Sequence, residues 1–208
     1  MVIVSSYSLE YNKNKNHFSV VTKEDSVCPY DSGTLVYRDS VYRKLKDKYS
    51  EASRYLLRRL RCQICKTLHR ELPDLMQPYR HYESSVIQAV LDGGDEAGEC
   101  CADNRTIGRW KSEFAEAEAD IAQRLLSVSA QATNEAVPLK AASIIWHAIK
   151  AAHTRWLPFV MSLLICNGHR IRTEFAFRQH PPSDKMAPAD KNEAKGGKGI
   201  GKTIEDTG

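Results

Sequence analysis

The sequence predicts an α+β fold, in which a small N-terminal β module carrying cysteine turns precedes a mainly α-helical region. Three observations predict it. Short β-compatible runs bounded by polar and turn-forming residues occupy residues 1–78. Apolar residues at helical spacing dominate residues 82–166. Cysteines stand at turn spacing on both sides of a strand-like stretch, with Cys28 three residues before Asp31 and Cys62 three before Cys65.

Taken in chain order, Val2, Ile3 and Val4 and then Phe18, Val20 and Val21 read as two short strands separated by the polar stretch Asn12 to Asn16. Leu35 to Arg38 and Tyr55 to Leu60 read as the strands of a hairpin, with the lysine- and arginine-rich residues between them as a long basic connection. Leu72, Pro73 and Pro78 punctuate the chain. Tyr82 to Leu91 then places Tyr82, Val86, Ile87, Val90 and Leu91 at helical spacing, and Gly93-Gly94 stops that helix.

Asp103 is the expected N-cap of a second helix, from Arg105 to about Val128, whose apolar stripe is Ile107, Trp110, Phe114, Ala117, Ile121 and Leu125. Pro138 opens a third helix with Ala142, Ile145, Trp146, Ile149 and Ala152 on one face, and Trp156 to Cys166 supplies a fourth. Beyond His180 the chain is rich in Pro, Lys, Asp, Ala and Gly and is expected to be disordered. The expected organisation is a β module over 1–78, a helical domain over 79–178 and a tail over 179–208.

At 208 residues, with 42% hydrophobic and 27% charged residues, the chain can bury a core as one domain or two small ones. Met1 to Glu10 has neither the basic start nor the apolar stretch of an export signal. The run Trp156 to Cys166 contains Pro158 and is about half the roughly 20 residues of a membrane span. A cytoplasmic location follows, where six cysteines are reduced and metal ligation or burial is expected rather than disulfides. A net charge of +4 is too small to identify a nucleic-acid partner, so the distribution of charge has to.

Zinc takes four tetrahedral ligands, and two tight turns each carrying ligands at i and i+3 deliver two apiece. Cys28, Cys62 and Cys65 occupy three such positions, and Asp31 stands where a fourth cysteine would complete them. An aspartate oxygen can ligate zinc, more weakly than a thiolate. His69, four residues after Cys65, competes as fourth ligand if the chain folds back. The module is therefore zinc-ribbon-like, with one structural zinc site drawn from Cys28, Asp31, Cys62, Cys65 and His69. Cys100, Cys101 and Cys166 lack partners at ligand spacing and are expected to be plain apolar residues.

Between the cysteine turns, nine cations stand against three carboxylates from Arg38 to Arg61. Arg43, Lys44, Lys46, Lys48, Arg54 and Arg58 are the candidate phosphate contacts, interleaved with Tyr37, Tyr42, Tyr49 and Tyr55, which can stack on bases or pack. The helix before Gly93-Gly94 and the one after Asp103 form a helix-turn-helix candidate, whose second helix would present Asn104, Arg105, Gly108, Arg109 and Ser112 to a groove while Ile107, Trp110 and Phe114 hold it to the core; Arg105, Arg109 and Lys111 are its candidate nucleic-acid contacts. Their connection is longer than the usual 3 to 4 residues, and Glu113, Glu116, Glu118 and Asp120 follow closely.

These landmarks together resemble an uncharacterised bacterial family of transposon-associated proteins in which a transposase-like zinc ribbon precedes a helix-turn-helix. The resemblance rests on Cys-Pro-Tyr-Asp at 28–31, Arg-Arg-Leu-Arg-Cys-Gln-Ile-Cys at 58–65, His69 with Glu71-Leu72-Pro73-Asp74, Pro78-Tyr79, Arg109-Trp110-Lys111 and the stretch Arg172 to Phe177. It spans roughly residues 25–178 and implies that architecture and DNA binding. The chain departs from it at Asp31, where the family pattern has cysteine.

The leading expectation is a non-enzymatic DNA-binding accessory or regulatory protein of a mobile element. The alternative is an interaction scaffold that binds a transposition partner through the ribbon and the C-terminal helices. A nuclease or transposase would need clustered carboxylates, and the sequence does not place Asp74, Asp92, Asp103 and Glu113 together. The phosphate-loop pattern at 196–203 leaves only Ile204 to Gly208 for the helix such a loop requires, so it is read as composition within a Gly-Lys-rich tail.

Overall fold

The computed structural model describes residues 1–93, 100–133 and 141–169. The second glycine of the Gly93-Gly94 break, Pro138, the stretch Arg172 to Phe177, the tail and its phosphate-loop pattern all lie outside the described residues. The described residues all lie in one compact unit. Among the described residues there are six strands and four helices in the order β1 (Val2–Val4), β2 (Tyr7–Asn12), β3 (His17–Thr22), β4 (Leu35–Lys46), β5 (Ala52–Cys62), β6 (Leu68–Pro73), α1 (Ser84–Asp92), α2 (Asn104–Thr133), α3 (Ala141–Ala152) and α4 (Trp156–Cys166). An α+β fold is therefore present.

The basic stretch expected to be a loop is strand. From Asp39 onward, Asp39, Val41, Arg43 and Leu45 point to one side of β4 and alternate with Ser40, Tyr42 and Lys44, whose polar tips meet solvent. Long cationic side chains suit the wet face of a half-buried strand, so the sequence alternates by position although it reads as uniformly polar. The real connection is Asp47 to Glu51. Asp47 Oδ1 accepts from the amides of Tyr49 and Glu51 at 2.9 Å each, and Ser50 takes a left-handed φ of 65°.

β5 organises the sheet. Along one edge it pairs antiparallel with β4, from Leu35 opposite Cys62 to Lys46 opposite Ala52, with a bulge at Arg38. Its other edge is shared. Tyr55 and Leu56 pair in parallel with Phe18 and Ser19 of β3, whereas Arg59 to Arg61 pair antiparallel with Leu68 to Arg70 of β6. β2 extends the sheet beyond β3, and β1 runs parallel to β6.

At the fork between β3 and β6 a buried carboxylate, Glu71, pairs with the partly exposed Arg58. Arg58 donates to Glu71 from Nε at 2.7 Å and from Nη2 at 2.9 Å, and Ser26 and Thr22 add hydroxyl donors at 2.8 and 2.9 Å. Burial works against ionisation of Glu71, but these donors outweigh it and hold the carboxyl below its ordinary value.

The helices form as the apolar spacing predicts, and α2 extends beyond the expected end to Thr133. Asp103 caps it: Thr106 N donates to Asp103 Oδ1 at 2.8 Å and Thr106 Oγ1 to Oδ2 at 2.7 Å. Trp110 meets Tyr82 edge-on at 5.1 Å, while Phe114, Trp146 and Trp156 pack on one another at 5.4–5.8 Å.

One hydrophobic cluster runs from Ile3, Val20, Leu45 and Leu57 of the sheet through Val86, Trp110 and Leu125 to Val160 and Leu164. The cluster takes in residues from both sides of position 78/79. No helix among the described residues is long and apolar enough to cross a membrane.

Candidate metal centre

The two cysteine turns are brought together by the β4–β5 hairpin, because one immediately precedes β4 and the other ends β5, where Leu35 pairs with Cys62. They fold alike. Cys28 N donates to Gly33 O at 2.9 Å and Cys62 N to Thr67 O at 3.0 Å, both across five residues. The fifth residue of each turn is left-handed, Ser32 at φ 55° and Lys66 at φ 61°. Asp31 therefore occupies in the first turn the position that Cys65 occupies in the second.

The Sγ atoms of Cys28, Cys62 and Cys65 and a carboxylate oxygen of Asp31 all lie within 4.8 Å of one another, a set that could hold a metal ion. Cys28 and Cys65 approach to 3.7 Å, and Cys62 Sγ lies 3.3 Å from Asp31 Oδ1. Cys28 and Cys62 are buried, whereas Cys65 is exposed. Backbone amides complete the frame: Gly33 N donates to Asp31 Oδ1 at 2.9 Å, Cys65 N to Asp31 Oδ2 at 3.0 Å, and Ile64 N to Cys62 Sγ at 3.3 Å.

The Gly33 amide, followed by the Cys28 and Cys65 thiols, holds the Asp31 carboxyl well below the usual carboxylate range. Burial pushes the Cys28 thiol up to about 12 in the metal-free chain. Gly33 is required for a reason separate from φ. A Cβ there would stand 2.9 Å from both Asp31 Oδ1 and Cys62 Sγ, against two of the ligand atoms.

His69 lies outside this four-atom set and contacts it instead. It is fully buried on β6, opposite Leu60, with Nε2 3.5 Å from Cys28 Sγ and Nδ1 3.3 Å from the Met1 amine. Burial lowers its pKa, with the nearby amine acting in the same direction. The ring thus stands within hydrogen-bonding distance of one thiol of the set.

The candidate phosphate contacts divide. Arg43 points inward, where its Nη2 donates to Gln77 O at 2.6 Å and to Arg80 O, and burial lowers its pKa to about 10. Arg58 is spent on Glu71. Both therefore act in the fold, a role that composition alone conceals.

Lys44 and Arg54 face each other across β4 and β5 on the open side, and Arg54 lies 4.4 Å over the Tyr42 ring. Lys46 lies over Tyr82 at 5.3 Å and Lys48 over Tyr49 at 5.0 Å. Arg105, Arg109 and Lys111 are exposed on the first turns of α2, opposite buried Trp110 and Phe114. Cys101 N donates to Lys48 O at 3.0 Å, which ties the start of α2 to the β4–β5 turn.

The carboxylates considered for catalysis are dispersed. Asp74 bonds Tyr7 and Arg155, Asp92 accepts from the Trp156 indole, Asp103 caps α2, and Glu113 pairs with Arg80. Gly33 and the Glu71 partnership were missed by the sequence reading. The signal for Gly33 was its position after Asp31 in the turn; none was local for Glu71, whose partners lie 13, 45 and 49 residues away.

No curated protein and no solved structure matches the chain. Over residues 28–110, a span that opens on Cys28 and takes in both cysteine turns, β4 to β6, α1 and the first turns of α2, the chain is similar to the family described as a domain of unknown function, DUF6431.

Proposed function

We propose that the chain is a DNA-binding accessory or regulatory protein of a mobile element, whose sheet is held at one end by a structural zinc ion on Cys28, Asp31, Cys62 and Cys65. The observation that carries this reading is the matched pair of turns that gather three thiols and a carboxylate within 4.8 Å. Thiolate-rich tetrahedral sets favour zinc. Two thiolates on one tetrahedral zinc stand roughly 3.8 Å apart at a Zn–S distance of about 2.3 Å, close to the 3.7 Å between Cys28 and Cys65. Four protein ligands leave no position for substrate, which suits a structural ion. Zinc so held is a crosslink between the two turns whose charge is outweighed by that of three thiolates and a carboxylate, and the side chains of this chain supply everything that meets a partner.

DNA binding is supported by the exposed cations Lys44, Arg54, Arg105, Arg109 and Lys111, and the association with a mobile element by the family resemblance. The test is a salt titration of duplex DNA binding. Each phosphate contact contributes about −0.9 to the slope of log K against log salt, so Arg105→Ala with Arg109→Ala flattens the slope by roughly 2. Binding that ignores salt in the parent chain refutes the reading.

A further inference from the structure

Beyond duplex binding, and resting on the nucleic-acid reading above, the geometry points to a single-stranded nucleic-acid site on the open face of the sheet along β4, with bases on Tyr37 and Tyr42 and phosphates at Lys44 and Arg54. The register of the strands puts these four side chains on one face. Lys44 is opposite exposed Arg54 and Tyr42 opposite half-buried Leu56, whereas Tyr37, before the bulge, is opposite Leu60, which is buried, so the face is open toward the Tyr42 end. The core residues Leu45, Tyr55 and Leu57 occupy the other face, where the helices pack.

Two aromatic rings stand out on this face. Tyr37 is 57% exposed and Tyr42 46%, although burying large rings is one of the main gains of folding. Tyr42 is also fixed in place: the buried His17, on the same face in β3, meets its ring edge-on at 5.3 Å, and the Arg54 guanidinium lies over it at 4.4 Å. His17 Nδ1 is buried and lacks a hydrogen-bond partner, so the group bracing the ring retains an unmet polar demand at the site. Among the described residues no carboxylate pairs with Lys44 or Arg54, in contrast to Arg58 and Arg59 on the same strand. The unneutralised charge of the hairpin thus collects beside the exposed rings.

Single strands suit this surface better than a duplex does. A duplex keeps its base faces stacked inside and is read by an inserted helix or a free two-stranded ribbon, whereas β5 is flanked on both edges and cannot enter a groove. Unstacked bases, in contrast, offer a π-face to any exposed ring, with cations tracking the backbone. Tyr37 and Tyr42 lie roughly 15 Å apart along the strand, at about 3.3 Å per residue, a span of a few nucleotides.

The experiment is fluorescence anisotropy with the full chain and a labelled oligothymidine of roughly 15 nucleotides, a duplex of equal length and an abasic oligonucleotide. Tyr42→Ala weakens oligothymidine binding at least about fivefold with an unchanged salt slope, and Tyr42→Phe restores it. Lys44→Ala with Arg54→Ala flattens the slope by about 0.7 per lost contact. The abasic strand binds the parent chain more weakly than oligothymidine binds Tyr42→Ala, and as oligothymidine binds Tyr37→Ala combined with Tyr42→Ala. Equal oligothymidine affinity of parent and Tyr42→Ala overturns the inference. If duplex binding persists in that case, only the single-strand site falls. Absence of any salt-dependent nucleic-acid binding removes the proposed function with it.

Discussion

Replacing Arg58 by methionine tests whether the polar lock at the sheet fork holds three strands together. Glu71 is 2% exposed in its side chain and accepts four bonds, two of them from the Arg58 guanidinium. Methionine keeps an apolar stem of similar reach and leaves the carboxylate with only Ser26 and Thr22. Removing one partner of a buried pair costs about 3–5 kcal/mol. Because the Arg58 side chain is 39% exposed, solvent screens part of its charge, and the expected loss is about 2–3 kcal/mol at neutral pH.

In a chain of this length that lowers Tm by roughly 4–12 °C. The assay is urea unfolding of metal-loaded protein followed by circular dichroism. Arg58→Met combined with Glu71→Leu leaves no buried charge and recovers most of the loss.

The pH dependence has a fixed sign. Glu71 has a folded pKa below its unfolded one, so its contribution is complete above the unfolded value, about 4.3, and is lost as pH falls through the lower folded value. Without Arg58 the buried carboxyl titrates upward, and the gap between the two proteins narrows as the pH is lowered from about 7 to about 5. A variant within about 0.5 kcal/mol of the parent, or a gap that widens in acid, refutes this account of the fork.

Other consequences are equally direct. Gly33→Ala places a methyl 2.9 Å from Asp31 Oδ1 and Cys62 Sγ and lowers metal content by elemental analysis while the helical circular dichroism signal persists; full metal content would show that the turns can spread. Metal uptake by the reduced chain releases protons, because Cys28 in its metal-free form stays protonated up to about 12 while Asp31 is already ionised; an indicator dye reads the release, and a silent titration contradicts thiolate ligation. Arg43→Met removes the side-chain donor of the Arg80 carbonyl and leaves the Gln77 carbonyl with the Arg80 amide at 3.3 Å, and costs about 1–3 kcal/mol with DNA affinity unchanged; an affinity loss at full stability would return Arg43 to the binding surface.

Much of the helical region was legible because packing there follows one period. Trp110, Phe114, Ile121 and Leu125 recur at helical spacing and are buried as that spacing requires. The sheet was less legible. β2 and β6 carry no strong alternation, and β6 contains Glu71 and Pro73, residues that oppose a strand assignment until Arg58 and the neighbouring strands supply partners. β4 was misjudged in length because its lysines and arginines look like loop when read without their alternation.

The ligand turns were legible as an i, i+3 repeat at 28/31 and 62/65. The choice between Asp31 and His69 as fourth group was not, because it depends on where β6 returns. That return places His69 against Cys28 Sγ, outside the four-atom set. The cations divided for the same reason: register decides that Arg43 faces the core while Lys44 faces solvent.

Zinc content per chain, measured by elemental analysis on the purified parent and on Asp31→Ala, Cys62→Ala and His69→Ala, tests the central claim most directly. The account predicts about one zinc per parent chain, a marked loss in Asp31→Ala and Cys62→Ala, and retention in His69→Ala. A folded, metal-free parent chain, or zinc that survives the loss of Asp31 but not of His69, contradicts it.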